Sequence, residues 1–291
     1  MDDCIVIGGG PAGLTSALYL ARFLRSVTVF DAQEGRAGTI PKTHNVAPFP
    51  DGISGSDLLD RMRRHARQYG ARLENATVSA VARQGDIFHV TTKDGMRTAR
   101  TVIFATGVVN HRPPLSDAEH DFGLNRGLIR YCPICDAFEI RNKRIAVLGS
   151  GDHGLAEAEF IAPYSKSVTL IPPDGTVAVA RRGIEGLPSA MSTMTLSESE
   201  AIVTLKSGER RAFDSLYVAL GTTPRTALAT GLGLHLGDRG CLNVDSRQKT
   251  LIPGVYAIGD VTDGLDQIAV AMGQAAVAAT AIHNDLRGLV R

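Results

Sequence analysis

The sequence predicts an α/β fold of two doubly wound domains, the second inserted into the first. Three observations predict it. The order strand, glycine turn, helix, strand stands at the start of the chain and returns about 140 residues later. Strands alternate with helical segments, which favours parallel sheets whose ligands sit at the carboxyl ends of the strands. A last buried strand and a long alanine-rich helix near the C-terminus complete the first unit, so the chain has to come back to it. At 291 residues the length suits roughly two compact domains.

Cys4 to Ile7 reads as a buried strand, Gly8-Gly9-Gly10-Pro11-Ala12-Gly13 as the turn, Leu14 to Leu24 as a helix and Ser26 to Phe30 as the second strand. Each glycine of this Rossmann-like turn has a purpose. One makes the tight turn, the next lets a pyrophosphate approach the backbone, and Gly13 lets helix and strand pack closely. The free N–H groups of the helix start attract the phosphate charge. Asp31 follows Gly8 by 23 positions, where a carboxylate accepts both ribose hydroxyls. Gly8, Gly10, Pro11, Ala12, Gly13 and Asp31 are therefore candidate cofactor contacts.

Thr101 to Ala105 is the next clear strand and ends in Ala105-Thr106-Gly107, three further candidates. Arg144 to Leu148 opens the second copy, leading into Gly149-Ser150-Gly151-Asp152-His153-Gly154, a helix to about Pro163 and the strand Val168 to Ile171. Gly149, Gly151 and Gly154 are its candidate NAD(P)H contacts. Here the offset that gave Asp31 lands on Pro172, which offers no side-chain hydrogen bond. Asp174 lies two positions on, with Arg181 and Arg182 beyond. The alternative for this unit is a scaffold with an idle pocket. His153 either meets a phosphate or caps the helix. Ser215 to Leu220 is a strand ending at Gly221. Gly254 to Asp260 is a buried strand delivering Asp260 to a ribityl hydroxyl. Ile268 to Leu286 is the closing helix, with Gln267 and Ile268 at its start as candidate flavin contacts. Asn45, before the turn-rich Pro48-Phe49-Pro50-Asp51-Gly52, is either a contact to the isoalloxazine edge or a plain loop residue. The expected domains are residues 1–110 plus 245–291, binding FAD, and residues 111–244, a NAD(P)H-binding-like domain. The hinges fall near His111-Arg112-Pro113-Pro114 and Leu242 to Asp245.

Cys132-Pro133-Ile134-Cys135 precedes the second glycine turn and is followed by Asp136. The two-residue gap puts both sulfurs within bonding reach, and a helix start would lower a thiolate pKa there. Asp136 is the candidate acid or base for the thiol proton. The alternatives are half a zinc site or an inert buried pair; zinc needs four ligands, and no second CxxC or HxxxH occurs. Cys4 and Cys241 read as packing residues. With 31 Lys and Arg against 30 Asp and Glu, and no basic stripe, neither nucleic acid nor a membrane surface is an expected partner. No apolar run of about 18 residues and no Lys/Arg-led apolar leader is present, so a cytoplasmic location is expected.

The first glycine turn, the inserted second one, the CxxC-Asp just upstream of it and the terminal GVYAIGDVTD segment together resemble the low-molecular-weight thioredoxin reductases, over essentially the whole chain. The resemblance implies an FAD-dependent disulfide oxidoreductase. In it Cys135 faces the flavin, Cys132 attacks the substrate and Asp136 carries the proton. Gly8, Gly10, Gly13, Asp31, Gly259, Asp260 and Gln267 contact FAD. It also implies a homodimer, rotation between domains, and a thioredoxin-like protein or a small-molecule dithiol or disulfide as partner. The chain departs from the family pattern in several places. The family's His-Arg-Arg run for the NADPH 2′-phosphate, with a further arginine downstream, is Pro172-Pro173-Asp174 and Ala178. A usual glutamine is Thr39, and the arginine before Gln267 is Asp266. Relatives with such losses include ferredoxin-dependent flavin reductases and dithiol oxidases of the gliotoxin type. A flavin redox sensor is the non-enzymatic alternative.

Overall fold

The computed structural model describes residues 1–174, 181 and 183–288. The chain divides into two compact units, the first comprising Met1–Lys42, Ile53–Val109 and Thr223–Arg291, the second Thr43–Gly52 and Asn110–Thr222.

In the first unit the strand Asp2–Ile7 runs parallel to Val27–Asp31 on one side and to Gly95–Phe104 on the other. Arg72–Asn75 and Val255–Ala257 extend the parallel sheet, and Val78–Gln84 with Ile87–Thr92 adds an antiparallel ribbon. A central strand covered on both faces reads as a continuous apolar run, and Cys4 to Ile7 is such a run. On one face the helices Pro11–Arg22 and Ile268–Leu286 share a core in which Ala17 and Ala21 meet Ala275, Ala278 and Ile282. Small side chains on both helices permit the close approach. The other face buries Ile5, Phe30, Phe88 and Phe104 with Ala229, Leu234 and Leu242. Residues 223–244, read from the sequence as the end of the insertion, thus place apolar side chains in the first unit's core. Each such burial contributes about 1.5–3 kcal/mol for a large aliphatic side chain.

The local boundaries differ where the backbone demands it. The first helix ends at Arg22 rather than Leu24, since Leu24 takes a φ of 60° and is exposed. The last strand stops at Ala257, and Asp260 stands in a 3-10 turn, Gly259–Val261, beyond it. Gly259 has a φ of 72°, which favours glycine, and a Cβ there would lie 3.1 Å from that of Ala12.

The second unit is a five-stranded parallel sheet in the order Ile184–Gly186, Ser167–Ile171, Arg144–Gly149, Ser215–Ala219, Ile129–Arg130. The helix Gly151–Ile161 covers one face, with Ala158 and Ile161 against Ile145, Val147, Leu170 and Tyr217. The core on the other face draws on a three-stranded antiparallel sheet, Met191–Leu196, Ala201–Leu205 and Arg210–Phe213, through Met194, Val203 and Phe213. Ala178 and Arg182, singled out above, lie outside the described residues.

Candidate active site

The edge strand Ile129–Arg130 delivers the cysteine pair at its carboxyl end. Cys132 is the residue before a one-turn helix, Pro133–Asp136. Pro133 occupies the first helical position, where a missing N–H costs nothing. The Cys135 N–H closes the turn on the Cys132 carbonyl at 3.0 Å. The two sulfurs are bonded to each other, with Cα atoms 5.2 Å apart, so in this state they are a disulfide and not metal ligands.

Asp136 is held from both sides. One carboxylate oxygen accepts from the Arg130 guanidinium at 2.6 Å and the other from the Tyr217 hydroxyl at 2.6 Å. Arg130 and Tyr217 are register partners on neighbouring parallel strands, so their side chains leave the sheet on the same face. Burial pushes the Asp136 carboxyl up, while Arg130 and the Tyr217 hydroxyl pull it back toward ionisation and Glu139 opposes them weakly. Burial and the Asp136 charge push the Tyr217 phenol far up, which keeps it a donor. The Arg130 Nε donates to the Ser215 hydroxyl at 3.2 Å, which donates to the Gly127 carbonyl at 2.7 Å. Gly127 has a φ of 66°, and a Cβ on it would lie 2.8 Å from the guanidinium. On the other flank Tyr131, next to Cys132, has its hydroxyl 2.7 Å from Nε2 of His120. Burial holds that imidazole below its ordinary pKa and pushes the phenol up to about 12, so Tyr131 donates and His120 accepts.

The first glycine turn has the close approaches its spacing requires. A Cβ on Gly8 would run into the Ala105 carbonyl, and one on Gly13 into the Gly8 carbonyl. A Cβ on Gly10 would meet nothing within 4 Å. That open space lies at the amino end of Pro11–Arg22, whose first N–H groups have no helical partner. Asp31, at the end of its strand, accepts from the Gln33 N–H at 2.8 Å and from Arg63 at 3.2 Å. The cradle and the carboxylate fit the pyrophosphate and ribose of a dinucleotide such as FAD. Beside them, the Thr106 hydroxyl donates to the Arg225 carbonyl at 2.7 Å, and the Gly107 carbonyl accepts from the Arg225 N–H at 2.9 Å. The Gly259 N–H donates to Gln274 Oε1 at 2.7 Å. Asp260 accepts from Arg36 at 2.8 Å, and the same guanidinium reaches Asp266 at 3.2 Å. Burial pushes Asp266 up, and the Asp260 charge adds to it. Gln267 precedes the helix Ile268–Leu286, its side-chain amide donating to the Asp266 carbonyl at 3.0 Å. The segment carrying Asn45, which accepts from the Thr43 hydroxyl at 2.9 Å, belongs to the second unit.

In the second turn a Cβ on Gly154 would lie 2.7 Å from the Gly149 carbonyl carbon, and Gly151 takes a φ of 60° with open space before it. Asp174 approaches this turn, accepting from the Ser150 hydroxyl at 3.4 Å. His153 is exposed and 3.4 Å from Glu157. Burial pushes Glu157 up to about 7, and its second oxygen is buried without a hydrogen-bond partner. Arg181 pairs with Glu159 at 3.2 Å. Cys4 is fully buried, with its thiol pushed up to about 12 by burial, as befits a packing residue. Arg36, Arg63, Arg130, Tyr217 and Gln274 were not singled out by the sequence. For Arg130 the signal was its place two residues before Cys132, but its partner Tyr217 is set by sheet register alone.

The profile of the pyridine nucleotide-disulphide oxidoreductase family matches residues 2–275. The chain is similar to the thioredoxin reductase of Streptomyces clavuligerus, at 35% identity over 282 residues covering 90% of this chain and 86% of that protein. It is similar to the thioredoxin reductase of Treponema pallidum at 31% identity over 297 residues, covering 96% of this chain and 95% of that protein. Among solved structures, a thioredoxin reductase from Streptococcus pyogenes superposes with a TM-score of 0.91 at 27% identity, covering 99% of both chains. HlmI superposes with a TM-score of 0.89 at 25% identity, covering 99% of this chain and 93% of that one.

Proposed function

Since the chain belongs to the pyridine nucleotide-disulphide oxidoreductase family and is a thioredoxin reductase-like FAD disulfide oxidoreductase, we propose that Cys132 and Cys135 are its redox pair. The observation that carries this reading is the disulfide at the end of an edge strand, with a doubly held carboxylate directly after it. Cys135 is the sulfur that exchanges electrons with the flavin, Cys132 the sulfur that attacks the substrate disulfide, and Asp136 the group that gives and takes the thiol proton. The amino end of the helix opens the pair toward a thiolate when the bond breaks.

Gly8, Gly10, Pro11, Ala12 and Gly13 would hold the FAD pyrophosphate, Asp31 the adenosine ribose, and Asp260 with Gln267 and Ile268 the flavin end. When bound, the flavin supplies a store for one electron pair. Ala105, Thr106 and Gly107 shape the floor of the turn. The first unit is the FAD-binding domain and the second is NAD(P)H-binding-like, with Gly149, Gly151 and Gly154 at its turn. The partner is a thioredoxin-like protein or a small dithiol or disulfide. A homodimer and a cytoplasmic location complete the reading; among the described residues no helix is long and apolar enough to cross a membrane.

One observation favours a second direction of flow. Asp174 brings a carboxylate to the second turn where the family pattern places basic residues, which disfavours a 2′-phosphate. Electrons then enter from a dithiol and leave to oxygen. Anaerobic titration of the yellow protein with NADPH, NADH and dithiothreitol, followed in the visible flavin band, separates the two. Bleaching by a nucleotide supports the reductase, and bleaching by dithiothreitol alone supports the oxidase. No bleaching by any of them defeats both.

A further inference from the structure

The geometry points to Arg130 and Tyr217 as positioning residues that fix the Asp136 carboxylate for proton exchange with the cysteine pair. This rests on the proton-carrier reading of Asp136 above and deepens it. The two side chains come from register-paired residues of adjacent strands and present one cation and one hydroxyl to the two oxygens of a single carboxylate, each at 2.6 Å. Side chains only 14% and 26% exposed make the Arg130–Asp136 pair poorly screened by water. The arrangement is itself anchored. Ser215, two residues before Tyr217 on its strand, accepts from Arg130 and donates to Gly127, and the absence of a side chain at Gly127 leaves room for the guanidinium. Four separate contacts thus converge on one orientation of one carboxylate.

The redox step needs such a group. When two electrons enter the disulfide, the S–S bond breaks, one sulfur leaves as a thiolate and the other takes one proton. A bound flavin would supply the electron pair, and the proton comes from the Asp136 carboxyl. The carboxylate left behind is received by Arg130 and Tyr217. In the opposite direction the same carboxylate takes the thiol proton as the bond forms, the electron pair passing to a disulfide oxidant or, where bound, to the flavin it would reduce. Glu139, in the turn that follows, also acts on the carboxyl, and the helix Gly151–Ile161, packed on the cysteine turn, carries Asp152, His153, Glu157 and Glu159.

The test is the pH profile, from 5 to 9, of the rate at which the reduced holoprotein re-forms its disulfide with a small aromatic disulfide. Asp136→Asn is expected to remove one limb of the profile, and Glu157→Gln to leave it in place. Arg130→Gln and Tyr217→Phe are each expected to move that limb to higher pH by roughly one unit, a tenfold change in proton affinity, because each removes a partner of the anion. Arg130→Lys, which keeps the charge, is expected to return most of the shift. A limb unmoved in both Arg130→Gln and Tyr217→Phe overturns the inference while leaving the proton-carrier reading standing. A limb that survives Asp136→Asn, or vanishes in Glu157→Gln, overturns that reading and the inference with it. Should Arg130→Gln not fold, Tyr217→Phe and Arg130→Lys decide the same question.

Discussion

Among the carboxyl groups of the second unit, Glu157 combines burial with an oxygen that has no hydrogen-bond partner. Its folded-state pKa, about 7, lies above the ordinary carboxylate value, so the folded protein prefers the protonated form. The sign follows. Stability from this group is full below about pH 4 and is lost as pH rises through about 7. With its partial exposure discounted, the loss between pH 5 and 8 is about 1–2 kcal/mol. Glu157→Gln is expected to melt a few degrees higher than the parent at pH 8 and to match it at pH 5, as read by calorimetry. The cysteines give a sharper residue-scale expectation. Cys132→Ser and Cys135→Ser are each expected to abolish turnover of disulfides while leaving flavin content unchanged, because neither sulfur belongs to the unit that carries the first glycine turn. A variant that keeps more than a tenth of the parent's turnover would contradict the assignment.

At the scale of elements the two glycine turns were the most legible part of the sequence, because their spacing is imposed by contact distances. Gly13 has to admit the Gly8 carbonyl, and Gly154 has to admit Gly149. Gly13→Ala is expected to cost about 1–3 kcal/mol of stability through this overlap. Gly10→Ala faces open space and keeps an ordinary backbone conformation, so it is expected to cost apoprotein stability only the difference between glycine and alanine as a helix cap, about 0.5–1 kcal/mol. It is nevertheless expected to lose flavin, because the added methyl occupies the place of the pyrophosphate. The ratio of visible to ultraviolet absorbance, beside a melting curve, tells the two substitutions apart. Side-chain partners were far less legible. That Arg36 would bridge Asp260 and Asp266, or that Arg130 would stand beside Tyr217, depends on segments brought together across about 230 and 90 positions respectively. No local pattern encodes such pairs. The strand leading to Asp260 ends three residues short of it for a local reason, since Gly259 turns the chain through a left-handed φ.

Across the whole molecule the alternation of strands and helices announced two doubly wound units, and both parallel sheets are present. The course of the chain between them was harder to read. Residues 223–244 contain only one short helix, Ala227–Gly231, so their allegiance is decided by where Ala229, Leu234 and Leu242 find apolar cover. The segment Thr43–Gly52 was equally opaque, being too short to carry a periodic signal. Light scattering of the purified protein is expected to give twice the chain mass, the homodimer of the proposed reading; a monomer at micromolar concentration would remove that element of it.

The enclosure of Cys4 within the central strand gives the protein an internal counter. Of four cysteines, one is sealed, one is half-covered at Cys241, and two are tied together. A maleimide of known mass should therefore add once, at most, to the native oxidised chain, and three times after mild reduction. Four additions should require denaturation. Intact-mass spectrometry can then report how far the pair has opened in any mixture, with or without colour, and for either direction of electron flow.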